Sequence, residues 1–248
     1  MTVALLIDGV GVDFGGFKAV DGFSMSIDEG ELMVLLGANG AGKTTLMDLI
    51  SGKTKATEGH IYIDETEITN WAPHRIVQQG LGRKFQIPSV FRELSLRQNM
   101  EVAATVHPAV LRNLGSRLPA DRVRRIDEVL ELVGLDTRQN ELAGNLSHGE
   151  TQWLELGMLI VQNPKIILLD EPTAGMTQAE TLKTSRIIND LKGRHTLLVV
   201  EHDMSFVREI AHHITVMHLG KFLASGTIAE IETNEDVRRA YLGSGGIK

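Results

Sequence analysis

The chain has 248 residues, enough for one large or two small domains with a substantial core, and it is 42% hydrophobic, 23% charged and 4% aromatic, as ordinary globular proteins are. It has no cysteine, which excludes disulfides and thiolate metal sites, and its net charge of −7 argues against nucleic acid as the main partner. The segment Met1–Asp8 has no basic or long apolar run, and no stretch approaches the ~18 apolar residues of a membrane span. The lack of cysteine fits a reducing compartment, and if the protein works at a membrane another chain must cross it.

In chain order, Leu5–Val10, Lys18–Val20 and Phe23–Ile27 read as short strands broken by Gly and Asp, an antiparallel β layer that Gly59–Asp64 continues. Leu32–Leu36, Ile166–Leu169 and Thr196–Val200 are apolar without alternation, which suits strands covered on both faces in a parallel α/β sheet. From about Pro88 to Asn163 the strand signal disappears. Ser95 and Gln98 have capping-box spacing at a helix start. Arg122–Val133 places Val123, Ile126, Val129, Leu130 and Val133 at helical spacing, ended by Gly134. The adjacent Arg122, Arg124 and Arg125 read as the solvated face of that helix. Trp153–Val161 is a further helix, stopped by Asn163 and Pro164, and Asp236–Leu242 is a short closing helix.

The segment Gly37, Ala38, Asn39, Gly40, Ala41, Gly42, Lys43, Thr44, Thr45 fits the phosphate-binding pattern G-x-x-x-x-G-K-[ST], with an apolar run before it and a helical pattern after it. The glycines let several N–H groups converge on one anion, Lys43 reaches the β- and γ-phosphates, and Thr44 offers a hydroxyl to Mg²⁺. The expected ligands are a nucleoside triphosphate and Mg²⁺. Ile166–Leu169 runs into Asp170 and Glu171; an acid ending a buried strand is where a metal and an attacking water are held, with Asp170 on the metal and Glu171 as general base. Ser147 and Glu150 form a second capping box, which reads equally as a capped helix or as an anion site for another γ-phosphate.

The ordered set of P-loop, Gln86, Leu146-Ser-His-Gly-Glu150, apolar strand with Asp170-Glu171 and His202 after a last strand resembles the ATP-binding subunits of ABC transporters over nearly the whole chain. The resemblance implies one α/β domain over 1–248. A P-loop NTPase (RecA-like) core would comprise 1–87 and 164–248, with an N-terminal antiparallel β layer and a helical subdomain inserted at 88–163. It implies that Phe14 stacks on adenine, with Phe17 a competing choice. Gln86 would sense Mg²⁺ and water, His202 would contact the γ-phosphate, and Ser147 and Gly149 would bind ATP across a dimer interface. ATP and Mg²⁺ are the implied ligands, with Thr44, Gln86 and Asp170 around the metal. The implied partners are a second ATP-binding subunit (a different chain or another copy), two membrane permease subunits that hold the chain at the inner face of the membrane, and an extracytoplasmic solute-binding protein.

Two positions depart from the family pattern. His148 and Glu150 stand where L-S-G-G-Q is usual; His148 reaches positive φ less cheaply than glycine, and its imidazole is expected to make turnover pH-sensitive near neutrality. Thr177 stands where an aspartate is common. The Arg83–Phe91, Leu146–Met158 and Glu201–Val207 segments resemble the branched-chain amino acid type of importer ATPase, and within it S-H-G-E-x-Q-W-L-E is similar to the urea importer's subunit. The expectation is thus a urea importer ATPase, with a branched-chain amino acid importer ATPase as the alternative. A translation or DNA-repair ABC ATPase would show tandem cassettes or a heptad run, a GTPase an N-K-x-D motif, and neither pattern occurs.

Overall fold

The computed structural model describes residues 2–84, 90–105 and 118–242. Its contacts divide the chain into two compact units, 1–83 with 165–172 and 188–248, and 84–164 with 173–187.

The first unit holds two sheets. One is antiparallel, in the order β2-β1-β4-β5, from β1 (Val3–Asp13), β2 (Lys18–Asp28), β4 (Glu58–Ile63) and β5 (Thr66–Glu67). The expected short strands are two long ones. Gly9 and Gly22 do not end them but take φ of +58° and +62°, and the β1–β2 register shifts between Ile7 and Val10. A left-handed residue accommodates a bulge, so the ladder bends and continues.

The other sheet has the order β10-β9-β3-β8-β7-β6, from β3 (Leu32–Leu36), β6 (Leu81–Lys84), β7 (Ile166–Asp170), β8 (Thr196–Glu201), β9 (His213–His218) and β10 (Lys221–Gly226). β3 pairs in parallel with β8 and β9, and β8 with β7. Every residue of β3, β7 and β8 is buried, which is why these strands read as unbroken apolar runs. Helix α1 (Lys43–Ile50) shares one buried cluster with both sheets: its Leu46, Met47 and Ile50 lie with Ile7 and Phe23 of the β layer and with Leu35 and Leu198. The shorter α2 (Pro73–Gln78) precedes β6.

The second unit is helical. It contains α3 (Leu96–Ala103), α4 (Ala120–Leu132), α5 (His148–Ile160) and the first part of α6 (Gln178–Leu191). The expected insertion 88–163 lies inside this unit, which also takes in Thr173–Ile187. Leu96, Met100, Ile126, Val129, Leu130 and Leu154 form its buried interior. A Cβ on Gly157 would sit 3.4 Å from the Met100 sulfur and 3.5 Å from Val129 Cγ1, ordinary contact distances, so α5 has room there for a methyl group against both neighbours. Both predicted capping boxes are present, on α3 from Ser95 and Gln98 and on α5 from Ser147 and Glu150. The arginine cluster on α4 is not simply solvated: Arg122 donates to the Ala104 carbonyl and Arg125 to the Ile160 carbonyl at 3.3 Å, leaving Arg124 as the exposed member. The first unit closes with α7 (Met204–Ile210), α8 (Ile228–Thr233) and α9 (Glu235–Leu242).

Candidate functional site

Because β3, β8 and β7 are parallel neighbours, their carboxyl ends share one edge of the sheet. Leu36 lies opposite Glu201 and Asp170 opposite Val200 in the registers. The residues that follow each strand, Gly37–Thr45, His202 and Glu171, therefore emerge side by side, at the edge where open α/β sheets bind their ligands.

The loop after β3 is shaped by close approaches. A Cβ on Gly37 would lie 2.6 Å from the Met217 carbonyl oxygen. Gly42, the N-cap of α1, has φ of +103°, and a Cβ there would lie 2.5 Å from the Ala19 carbonyl oxygen. Gly37 is thus required for space and Gly42 for both space and backbone angle. Lys43 is buried and its ammonium donates to the Gly37 and Ala38 carbonyls at 2.7 and 3.1 Å. Burial pushes Lys43 below the usual lysine range, while the carboxylates of Glu171, Asp170 and Glu201 pull it back up. Thr44 is exposed and Thr45 half-buried in the first turn of α1, whose leading N–H groups have no partner inside the helix. Ala38, Asn39, Gly40 and Ala41 complete the loop, and the Ala41 carbonyl accepts from Gly220 N at 2.9 Å.

Asp170 is 1% exposed, and burial raises its pKa above the usual carboxylate range against the pull of Arg83. Its Oδ2 is 3.4 Å from Arg83 Nη2, whereas Oδ1 is buried with no hydrogen-bond partner among the described residues. Arg83 also grips Asp48 at 2.6 Å and Ser51 at 2.8 Å, tying β6 to the end of α1. Glu171 adopts φ of +45°, rare for a residue with a side chain, and its N–H donates to the Val200 carbonyl at 3.0 Å. Its Oε1 lies 3.3 Å from His202 Nδ1, and Glu201 Oε2 lies 3.9 Å from the same nitrogen. A buried carboxylate oxygen lacking a partner, beside a second carboxylate and an ammonium, has the donor chemistry that a divalent cation and a polyphosphate satisfy together.

Phe14 and Phe17 both sit on the β1–β2 turn and both are exposed, at 54% and 67%, so neither is a core residue. Ala19, two residues beyond Phe17, is the residue that Gly42 approaches, which puts this turn next to the phosphate loop. Gln86 lies outside the described residues.

In the second unit, Ser147 caps α5: its hydroxyl accepts from Glu150 N at 3.3 Å and its N–H donates to Glu150 Oε2 at 2.9 Å. His148 is the first residue of the helix and is not in the positive-φ region, so the expected backbone strain at this position is absent. Its Nε2 lies 3.1 Å from the Ala174 carbonyl oxygen. An acceptor on the other side fixes this nitrogen as the donor. Gly149 is likewise not in the positive-φ region; a Cβ there would meet Glu180 Oε1 at 2.2 Å. Thr177 N–H and hydroxyl both donate to Glu180 Oε2 at 2.8 Å, capping α6 and holding the Glu180 carboxyl below its usual range.

Sequence reading missed β9, β10 and the turn between them, although Met217 and Gly220 shape the phosphate loop from that side. The Leu219-Gly220 pair was the available turn signal.

This fold and strand-end constellation define an ATP-binding cassette of the P-loop class. The family model described as ABC transporter matches residues 20–174, and the chain belongs to that family of transporter ATP hydrolases. It is 36% identical to the high-affinity branched-chain amino acid transport ATP-binding protein LivG of Salmonella typhimurium, over 96% of this chain and 97% of that one. It is 36% identical to BraF of Pseudomonas aeruginosa over the same shares. A solved ATP-binding cassette of an ABC transporter in its ADP conformation superposes with a TM-score of 0.84 at 30% identity, covering 98% of this chain and all of that one.

Proposed function

We propose that this chain is the ATP-hydrolysing subunit of an ABC importer of the branched-chain amino acid type, working on separate permease subunits together with a second cassette and a solute-binding protein. The observation that carries the chemistry is the shared strand-end edge. Lys43 and the α1 N-terminus would take the β- and γ-phosphates, Thr44 and Asp170 would hold Mg²⁺, and Glu171 would accept the proton of the attacking water. Bound there, Mg²⁺ would neutralise charge on the β- and γ-phosphate oxygens. His202, in reach of Glu171, would orient that carboxylate and contact the γ-phosphate. Phe14 or Phe17 would lie against adenine, and Gln86 would belong to the same site. Ser147, His148 and Gly149 would cap the triphosphate held by a facing cassette.

The relatives' names favour an amino acid over urea as the solute, which places the alternative ahead of the urea reading. Urea remains a second reading, carried by the Ser147–Glu155 motif. The test of the chemistry is Glu171→Gln in the assembled transporter. ATP binding should persist, hydrolysis should fall by roughly a hundredfold or more, and ATP should trap a cassette dimer. Wild-type turnover in that variant would overturn Glu171 as the base.

A further inference from the structure

Glu150 presents an electrostatic problem. It occupies the third position of α5, at the helix end whose Ser147 and Gly149 are proposed to meet the γ-phosphate. For folding, a carboxylate there is useful, since its Oε2 closes the capping box on Ser147 N–H at 2.9 Å. For a polyanionic ligand it is repulsive.

The structure supplies the counter-charge. Arg138 ends a short 3₁₀ turn, Asp136–Arg138, and its Nη1 donates to Glu150 Oε1. The same guanidinium is held from its other side, with Nε and Nη2 donating to the two Glu141 oxygens at 3.0 and 2.7 Å. Clamped between two carboxylates, Arg138 keeps its charge firmly. Lys183 of α6, 3.6 Å over the Trp153 ring, also feels the Glu150 carboxylate. Each Glu150 oxygen thus has its own partner, a cation on Oε1 and the capping N–H on Oε2.

We propose that Arg138 is a positioning residue for ATP turnover: it offsets the charge of Glu150 and fixes its carboxylate in the capping box, so that the Ser147–Gly149 loop is held in place and repels a triphosphate less than it would with Glu150 unpaired. This rests on the proposed role of that loop toward a facing cassette.

The test compares ATP turnover by the assembled transporter carrying Arg138→Gln, Arg138→Lys, Glu150→Gln, or Arg138→Gln with Glu150→Gln, across ATP and NaCl concentrations. Arg138→Gln should raise KM for ATP by roughly three- to tenfold with a smaller change in kcat, and the rise should shrink at high salt. Arg138→Lys, which keeps the charge but not the fork that reaches both carboxylates, should show a smaller rise in KM than Arg138→Gln. Glu150→Gln, neutral and still able to cap, should stay close to wild type, and the double variant should return to within about twofold of it. A wild-type KM in Arg138→Gln overturns the proposal. So does a defect that persists in the double variant, which would assign Arg138 to bracing Glu141 alone. Ser147→Arg separates the two levels: wild-type turnover there removes the underlying loop assignment, while its loss alongside a normal Arg138→Gln removes only the role of Arg138.

Discussion

Asp170 is pulled in opposite directions by its surroundings. Burial and the neighbouring Glu171 and Asp48 carboxylates make it harder to ionise, while Arg83 favours the anion. An acid whose pKa is raised by folding holds its proton longer folded than unfolded. Its contribution to stability therefore falls as pH rises from the ordinary carboxylate range through the raised value, and the penalty is complete only above that value. A cation at Oδ1 would relieve it. Asp170→Asn should thus leave the free protein at least as stable at pH 7.5 in a urea melt, yet abolish the part of the ATP-induced Tm rise that depends on Mg²⁺. A loss of more than about 2 kcal/mol in the free protein would mean that the Arg83 pairing outweighs the burial penalty. Lys43→Ala acts on the other ligand: triphosphate affinity measured by calorimetry should drop, and unchanged binding would count against the whole edge as the site. His148 sharpens a sequence expectation. Its Nε2–H donates to the Ala174 carbonyl at 3.1 Å, a contact that the side-chain amide of a glutamine could also make. His148→Gln, which keeps a donor, is the variant in which to compare the pH profile of turnover; a profile identical to wild type would exclude the imidazole as a source of pH dependence.

At the level of elements, the parts legible in the sequence were those where one local rule dominated. β3, β7 and β8 are buried on both faces, so their apolar runs carried their own signal, and Ser95, Gln98, Ser147 and Glu150 announced their helices by side chains that bond within one turn. The misreadings arose where a residue's meaning depended on distant partners. Gly9 looks like a strand end until β4 pairs along β1 on the far side of the bulge, and His148 looks strained until the helix is seen to start at that residue. β9 was missed because its buried run is only the four residues Ile214–Met217 between His213 and His218, although β9 lies beside β3 in the sheet. The two readings left open for Ser147, helix cap or anion site, can be separated with Ser95 as the control. Ser95→Ala and Ser147→Ala should each lower unfolding free energy by about 1 kcal/mol, because each removes one acceptor for an orphan N–H. Only Ser147→Ala should also depress turnover at saturating stability, measured well below either variant's melting range. Equal turnover in the two variants would leave Ser147 as a cap and nothing more.

At the level of the whole molecule, the chemistry and the solute are written in different places. The strand-end edge is proposed to hold triphosphate and metal, and no described residue is assigned to a solute; no helix among the described residues is long and apolar enough to cross a membrane. On the proposed reading, solute preference lies in partner chains, and similarity in the cassette reports it only through shared ancestry of the whole assembly. The two solutes can be told apart directly. In cells whose own copy is deleted, uptake of labelled leucine and of labelled urea at micromolar concentration should be measured before and after return of the wild-type chain, and again with Lys43→Ala. The proposed reading expects leucine uptake to fall to background on deletion, to recover with the wild-type chain, and not to recover with Lys43→Ala. Loss of urea uptake with leucine uptake intact would reverse the order of the two readings while leaving the ATPase assignment untouched, because the Lys43→Ala arm tests the motor separately from the cargo.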